Sequence, residues 1–387
     1  MKKNQYHSYQ HGELPKGCQY CVKGEKLVLF VTGICPRKCH FCPVSDEKYQ
    51  KDVQFANERK MLEATSVEEL MKEAEMMQAK GAGITGGDPL ARLDRTCSYI
   101  QRLKEKFGKS FHIHLYTSLN LITMDTLQKL YDSGLDEIRF HLDLDDKKFW
   151  DRLSLTKKMS WDVGVEVPLV VGKEKELKEM IDFISGKDDH ILKADFLNLN
   201  ELELADNEHY TQEGKAKNET SYAIEGSEGL GLRLLDYVEK NAYKLNAHLC
   251  TAKLKDGVQL AERIKRESVM MRRKFDQVDE EGMLIRGALY LPELMPGFNY
   301  REKLKLLPAT EKEEILKKLQ VFYERIKKKF KLGDDEISLD SEKCRILLSR
   351  RLCKKKAGYF SEMGLKPAAV IEYPTADQLE IEVEFWE

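Results

Sequence analysis

The stretch Leu27-Val-Leu-Phe-Val-Thr-Gly33-Ile-Cys35-Pro-Arg-Lys-Cys39-His-Phe-Cys42 decides the fold class of this chain. Its first seven residues, 27–33, are mostly apolar and β-branched, which is typical of a buried strand. The strand runs directly into three cysteines. In a parallel α/β sheet, the loop that follows a strand lies at the catalytic edge. The stretch therefore predicts a buried strand that leads into a chemically active cysteine loop.

The cysteine loop has the spacing of an iron–sulfur site. Three thiolates, from Cys35, Cys39 and Cys42, can bind three irons of a [4Fe–4S] cluster and leave the fourth iron open to a small molecule. A structural zinc site would need a fourth protein ligand nearby, and His40 lies too close in the loop to complete the same tetrahedron. A zinc loop and incidental cysteines are the alternatives. Clustering of cysteines in a reducing compartment favours metal ligation over disulfides.

Beyond the loop, short apolar runs alternate with amphipathic helical stretches up to about residue 275. Such alternation predicts βα units around a parallel sheet. Helices are predicted at 67–80, 94–107 and 124–133. Further strands are predicted at 81–87, 111–118, 136–143, 164–171, 196–202 and 245–250.

The same pattern predicts the domain organisation. We expect an N-terminal extension with a CxxC motif at 1–25, a core at 26–278 with a late extra βα unit, and a small α+β domain at 279–387. The polar segment 205–229 interrupts the alternation and is predicted to be a long loop that covers the site. The fold class is thus α/β, with a small C-terminal α+β appendage.

Composition limits the classes of function. The chain has 387 residues, of which 42% are apolar, and its formal net charge is -2. This balance argues against polyanion binding by the chain as a whole. No stretch approaches the roughly 20 apolar residues of a membrane helix, and the opening MKKNQYHSYQ lacks the apolar run of a signal peptide. We therefore expect a soluble, cytoplasmic protein without a membrane partner.

Two motifs together carry a resemblance to a known family. The pattern CxxxCxxC with the aromatic Phe41 before its last cysteine resembles the signature of the radical S-adenosylmethionine (radical SAM) superfamily. The turn at the end of the second strand, Gly86-Gly87-Asp88-Pro89, is similar to the family's Gly-Gly-Glu-Pro turn, with Asp in place of Glu. The resemblance implies a partial (β/α)6-type TIM barrel. It also implies a [4Fe–4S] cluster and S-adenosylmethionine as cofactors.

Further residues come from the same resemblance. The family turn holds the methionine ammonium of the cofactor through its backbone and its acidic residue. By position, Thr117 matches another cofactor contact, Arg139 lies near the usual ribose-contact region, and Asn198 is a candidate adenine or substrate contact. His141 shares a strand face with Arg139 and is read equally well as a hydrogen-bonded interior histidine. The predicted cofactor-binding set is Phe41, Gly86, Gly87, Asp88, Pro89, Thr117, Arg139 and Asn198.

The wider pattern over about residues 18–266 is similar to an archaeal group of radical SAM proteins related to pyruvate formate-lyase activating enzyme. The resemblance implies an anaerobic enzyme that cleaves S-adenosylmethionine reductively and abstracts a hydrogen atom from its substrate. It also implies an external electron donor such as ferredoxin or flavodoxin. The substrate stays open between a protein, an RNA and a small metabolite. The alternative is a non-catalytic zinc-binding interaction protein on a degenerate barrel.

Two other groups of residues call for interpretation. Cys18 and Cys21 form a CxxC motif, and His248 and Cys250 form an HxC motif, so the four could bind zinc or an auxiliary iron–sulfur cluster. Separate buried thiols are the equal alternative. The basic segment 343–356 is either a phosphate-binding patch or, as we favour, a solvated helix face balanced by the acidic tail.

Overall fold

The computed structural model describes residues 2–62, 64, 66–187 and 191–386. The chain divides into two compact units, residues 1–263 and 264–387, called unit 1 and unit 2 below. The predicted domain boundaries after residues 25 and 278 stay predictions. None of the described helices is long and apolar enough to cross a membrane.

Unit 1 is built from strands and helices that alternate along the chain. Its strands are β1 (Lys2–Lys3), β2 (Tyr9–His11), β3 (Lys26–Phe30), β4 (Gln54–Ala56), β5 (Arg59–Met61), β6 (Gly81–Thr85), β7 (His112–Ser118), β8 (Glu137–His141), β9 (Asp162–Pro168), β10 (Phe196–Asn200), β11 (Ala216–Asn218), β12 (Ser221–Ile224) and β13 (Asn246–Cys250). Its helices are α1 (Lys16–Cys21), α2 (Ser66–Met76), α3 (Leu93–Phe107), α4 (Met124–Asp132), α5 (Glu174–Ile184), α6 (Ser227–Lys240) and α7 (Ala252–Leu254). Short 3-10 segments cover Pro89–Arg92 and Trp150–Lys158, a π-helical turn covers Lys255–Leu260, and α8 (Ala261–Met271) follows it.

Seven parallel strands form the centre of unit 1, in the order β3-β6-β7-β8-β9-β10-β13. Antiparallel β4 and β5 extend the β3 side, and β2 and β1 extend the β13 side. The predicted α/β fold, a partial (β/α)6-type TIM barrel, is confirmed. The predicted helix at 67–80 is shorter than expected, because it ends at Met76 and Gly81 already belongs to β6.

The two faces of the parallel strands differ in chemistry. One face carries the fully buried apolar core under the helices, with residues such as Leu29, Ile84, Leu115 and Phe140. The alternate positions carry polar side chains instead, because successive residues of a strand point to opposite faces. The barrel interior is therefore polar, and this is the face that supplies the site.

Helix α1 packs against that polar interior. The amide N–H of Gly17 donates to the Glu137 carboxylate at 2.9 Å. A Cβ at Gly17 would lie 2.4 Å from Arg139 Nη2 and 2.5 Å from His114 Nδ1. Only glycine allows this approach, and it brings Cys18 and Cys21 into the barrel.

Unit 2 contains an antiparallel sheet with helices. Its strands are β14 (Gln277–Val278), β15 (Leu284–Tyr290), β16 (Ile337–Asp340), β17 (Arg345–Leu348), β18 (Lys366–Glu372) and β19 (Glu380–Phe385), in the order β16-β17-β15-β18-β19, with β14 on β15. Its helices after α8 are α9 (Tyr300–Leu306), α10 (Ala309–Phe330), α11 (Arg350–Lys355) and α12 (Ala357–Glu362). The expected α+β appendage is present, and β16 and β17 are strands that the sequence pattern did not reveal.

The basic segment 343–356 divides into two parts, because Lys343 and Arg345 are buried whereas Arg351, Lys354 and Lys355, on α11, are exposed as a solvated helix face predicts. Arg345 lies on β17 with no exposed surface and pairs with Asp340 and with Glu372, which also pairs with the buried Arg286. Lys343 is also buried. Neither interpretation holds for Lys343 and Arg345, because both side chains are buried and form ion pairs with neighbouring carboxylates.

This network yields a prediction about stability. Glu372→Gln should lower the free energy of unfolding by about 3 kcal/mol, because two buried guanidinium groups lose a charged partner. Urea denaturation measures the change. The matched control Glu362→Gln alters an exposed glutamate and should change stability by less than about 0.5 kcal/mol. Equal stabilities for the two variants would contradict the role of the network.

Candidate functional site

The three cysteines after β3 line one cavity of about 670 Å³ at the carboxyl ends of the parallel strands. Cys35, Cys39 and Cys42 are all partly exposed. Burial raises the pKa of Cys35 to about 11, although the Arg37 amide donates to its Sγ at 3.4 Å. No group of three or more Cys, His, Asp or Glu side chains within the described ranges is arranged to hold a metal ion. The three thiols thus line one cavity, but their side chains are not already arranged as metal ligands.

A second segment of the chain positions the start of the cysteine loop. A Cβ at Gly33 would lie 1.6 Å from the Lys48 carbonyl oxygen, so only glycine fits there. Asp52 accepts a hydrogen bond from Thr32 Oγ1 at 2.9 Å and forms ion pairs with Arg92 and Arg95. Asp52 therefore ties the end of β3 to the elements that follow the glycine turn. This carboxylate was not predicted from the sequence, because nothing in its local sequence marks it.

The glycine turn lies directly against the backbone that precedes Cys35. The Gly87 amide donates to the Thr32 carbonyl at 2.7 Å, and the Asp88 amide donates to the Ile34 carbonyl at 2.9 Å. A Cβ at Gly86 or Gly87 would lie 2.5 Å from a carbonyl oxygen of this segment. The two glycines are therefore needed for backbone packing between the two motifs. Whether they also allow a cofactor to approach stays a prediction.

Asp88 connects the turn to β7. Its carboxylate is 1% exposed and accepts from Thr117 Oγ1 and Ser118 Oγ, both at 2.8 Å, and from the Leu90 amide at 3.1 Å. Burial raises the pKa of Asp88, and these donors oppose that rise. The geometry gives the carboxylate a structural role, which leaves the backbone of the turn as the stronger candidate for a contact with a cofactor.

The inner end of the cavity holds a network of buried charges. Arg139 is 2% exposed and lies between the carboxylates of Glu137 and Glu166, with Tyr116 Oη 3.1 Å from its Nη1. Glu166 also accepts from Asn198 Nδ2 at 2.9 Å. Glu166, a carboxylate on β9, is therefore paired by Arg139 and Asn198. Arg139 lines the cavity and Asn198 contacts Glu166, and both already have protein partners.

Phe41 forms part of the apolar wall of the cavity. Its ring centroid lies 5.6 Å from that of His141, and it packs on a small cluster formed by Val170, Leu202 and Ile224. Burial, followed by the Arg37 charge, lowers the pKa of His141 to about 3, so the imidazole is neutral at pH 7. His141 lines the cavity, where it can donate or accept one hydrogen bond.

The segment after β10 was predicted to be a long loop that covers the site, but it contains the hairpin β11–β12, and α6 begins within the predicted range at Ser227. It contacts the cysteine loop, although none of residues 205–229 lines the cavity. The amides of Thr211 and Gln212 both donate to the His40 carbonyl, at 2.8 and 2.9 Å. Asn207 Nδ2 donates to the Cys42 carbonyl at 3.2 Å. The loop that carries the thiols is therefore held on both sides, by the glycine turn and by this segment.

The CxxC and HxC motifs both reach the barrel interior. Cys18 Sγ lies 3.3 Å from Asn198 Nδ2, and Asn198 is the register partner of His248 on β13. Burial is the main cause that raises the pKa of Cys21 and of Cys250. His248 Nε2 lies 3.0 Å from Ser8 Oγ. Metal binding by these four residues stays a prediction.

Two charged residues at the opposite wall were not recognised from the sequence. Lys255, on the π-helical turn, lines the cavity and donates to Glu203 Oε2 at 2.8 Å. Glu201 is only 3% exposed and accepts from the Ala252 amide at 2.7 Å, so its carboxylate caps the helical segment that begins at Ala252. π-helical turns often occur at functional sites, but no local sequence pattern predicts them.

Comparison with known proteins agrees with this geometry. The family model of the radical SAM superfamily matches residues 29–167, which include the cysteine loop, the glycine turn and β7 to β9. A Methanocaldococcus jannaschii protein, provisionally named a glycyl-radical enzyme activating enzyme, is 34% identical over an alignment of 385 residues. The alignment covers 96% of this chain and 92% of that protein.

Two solved structures resemble parts of the chain at low similarity. Methylornithine synthase is 15% identical, with a TM-score of 0.36, and the match covers 62% of this chain and 79% of that protein. A maturase of the [FeFe]-hydrogenase is 12% identical, with a TM-score of 0.38, and the match covers 65% and 66%. These scores are too low to add to what the strand order shows.

The alternative of a non-catalytic zinc-binding interaction protein has no support in these matches. Radical SAM enzymes act with an iron–sulfur cluster, S-adenosylmethionine and a reductant. Near-complete coverage at 34% identity, together with the matched family model over the cavity residues, leads to one conclusion: this chain belongs to the radical SAM superfamily and is a radical S-adenosylmethionine enzyme.

Proposed function

We propose that Cys35, Cys39 and Cys42 hold a [4Fe–4S] cluster whose fourth iron is open to S-adenosylmethionine. When bound, such a cluster supplies the electron for reductive cleavage of S-adenosylmethionine. The observation that carries the proposal is that all three thiols and the glycine turn line the same cavity. A three-thiol set suits this cluster because it leaves one iron without a protein ligand.

The residues of the chain then bind and orient the cofactor. The turn Gly86–Pro89 lies beside the thiols, so its backbone is positioned to contact the amino acid end of S-adenosylmethionine. Phe41 offers an apolar surface, and Thr117 and Arg139 line the same cavity. Asn198 lies behind Glu166, so we propose that it acts by holding that carboxylate. The segment 205–224 holds the cysteine loop through the carbonyls of His40 and Cys42.

We propose a protein as the substrate whose hydrogen atom is removed, with an external electron donor such as ferredoxin or flavodoxin. The name of the archaeal relative supports a protein substrate, since an activating enzyme acts on another enzyme. A small metabolite or an RNA would be the outcome that contradicts this choice. The cytoplasmic location stays a prediction.

We also propose that Cys18, Cys21, His248 and Cys250 form a second site for zinc or an auxiliary iron–sulfur cluster. The packing of α1 inside the barrel, with Cys18 Sγ 3.3 Å from Asn198 on β10, the strand that pairs with β13, supports this proposal. The Nδ1 atom of His248 is buried without a hydrogen-bond partner in the described structure, so a ligand could satisfy it. Binding would require the side chains to converge on the metal.

One prediction concerns the proposed cluster. After anaerobic reconstitution, Cys35→Ala should bind less iron than the unmodified protein, by about one iron in four or more, and should release no 5′-deoxyadenosine, because one of three cluster ligands is missing. Cys97→Ala is the matched control, since Cys97 lies on α3 outside the cavity. Bound zinc and no cleavage of S-adenosylmethionine in the unmodified protein would contradict the proposal.

The substrate class is tested by label transfer. Candidate proteins labelled with deuterium should return the label in 5′-deoxyadenosine, because the hydrogen atom moves from the substrate to that product. The measurement is mass spectrometry of the nucleoside. Label that comes only from RNA or small-metabolite pools would overturn the choice of a protein.

A further prediction concerns Asp88. Asp88→Ala should lower the free energy of unfolding by about 1–3 kcal/mol, because buried donors of Thr117 and Ser118 lose their acceptor. Asp88→Asn keeps one acceptor oxygen and should recover part of the loss. Urea denaturation measures both variants, with the exposed Glu105→Ala as control. A normal stability for Asp88→Ala would contradict the structural role.

The second metal site has its own test. Elemental analysis of the double variant Cys18→Ala, Cys21→Ala should show loss of zinc, or of the iron beyond one cluster, while 5′-deoxyadenosine release without substrate continues. A double variant Cys344→Ala, Cys353→Ala in unit 2 is the control. Unchanged metal and sulfide content in the first variant would rule out the second site without affecting the first.

A further inference from the structure

The last strand of unit 2 has a long free edge. Among the described residues, β19 pairs with β18 and ends the sheet order. It has six residues, whereas the other terminal strands of the two large sheets, β1, β5 and β16, have two, three and four. Proteins usually keep edge strands short or covered, because unpaired backbone groups accept another strand. The length of this edge therefore needs an explanation.

Apolar side chains surround the same edge. A groove of about 500 Å³ lies between β19 and the loop at residues 296–302. On the strand side, Ile381 is 52% exposed and Phe385 is 37% exposed. Phe298, in the loop opposite, is 92% exposed but does not itself line the groove. Exposed apolar side chains that gather around a groove mark a binding surface more often than scattered ones do.

The charges of the groove select the kind of partner. Its lining carries the glutamates Glu302, Glu380 and Glu382 and a single arginine, Arg301. Glu380 is paired with Arg301, with 3.3 Å between Nε and Oε2, and with the buried Lys343. Glu302 and Glu382 have no such ion pair among the described residues, so they give the groove its acidic character. A second copy of β19 would place glutamates opposite glutamates, which is unfavourable across a strand pair.

We propose that β19 and the loop at 296–302 bind an extended, basic segment of a partner protein, which adds to the sheet as a further strand. The main chain of that segment pairs with the free edge, its apolar side chains contact Ile381 and Phe385, and its basic side chains face Glu382. The proposal rests on unit 2 alone and holds whether or not the proposed radical chemistry is correct.

A model peptide tests the surface directly. The probe is a fluorescent peptide of about eight alternating lysine and valine residues, titrated into the full-length protein and followed by anisotropy. We expect saturable binding that weakens as salt rises. Hydrogen exchange should show new protection of amides in residues 380–385, because strand addition pairs them. The same peptide with two central prolines cannot pair and should not bind.

Two charge-reversal variants separate a specific site from general attraction. Glu382→Lys should weaken binding by roughly tenfold or more, the change expected when an opposite charge becomes a like charge. Glu362→Lys makes the same change at an exposed glutamate outside the groove and should leave binding unchanged. Equal binding of the proline peptide, equal effects of the two variants, or self-association through β19 in place of peptide binding would each overturn the proposal.

Discussion

Two backbone hydrogen bonds join the motifs of unit 1, and the rest of the site depends on them. The amides of Gly87 and Asp88 donate to the carbonyls of Thr32 and Ile34, just before the first cysteine of the loop. These bonds continue the pairing of β3 and β6 beyond the ends of both strands. They need glycine, because any Cβ at 86 or 87 would clash with a backbone oxygen. The cysteine loop and the turn are thereby held together as one structure.

Carboxylates reinforce this joint from two sides. Asp52 binds Thr32 on one motif and Arg92 and Arg95 beyond the other, and Asp88 fixes the turn to the end of β7. Buried or half-buried carboxylates are stable here because each has donors that replace water. The positions of the thiols are therefore set by polar contacts around the loop, while the loop itself contributes the three cysteines.

The barrel interior shows the same principle on a larger scale. Arg139 would be costly to bury alone, but Glu137 and Glu166 flank it, and Asn198 supports Glu166. Unit 2 contains a separate closed network around Glu372. Such networks contribute little net stability when complete, yet the loss of one member leaves an unpaired charge. Each network therefore restricts which side chains can replace its members. The network around Arg139 also forms the inner wall of the cavity of unit 1.

Sequence alone predicted the alternating strands and helices of the parallel sheet and the two motifs, because hydrophobic periodicity and short spacings are local properties of the chain. The barrel was implied by the resemblance to the radical SAM superfamily. Short strands such as β4, β5, β16 and β17 were not predicted. Only the tertiary structure decided that Asp88 bonds Thr117, that Arg345 is buried, that Lys255 reaches the cavity and that α1 brings Cys18 beside Asn198. Each of these contacts joins residues distant in sequence or depends on a burial that no local pattern encodes. The candidate ligand residues can therefore be predicted from the sequence, whereas the tertiary packing decides which partner each charged side chain contacts.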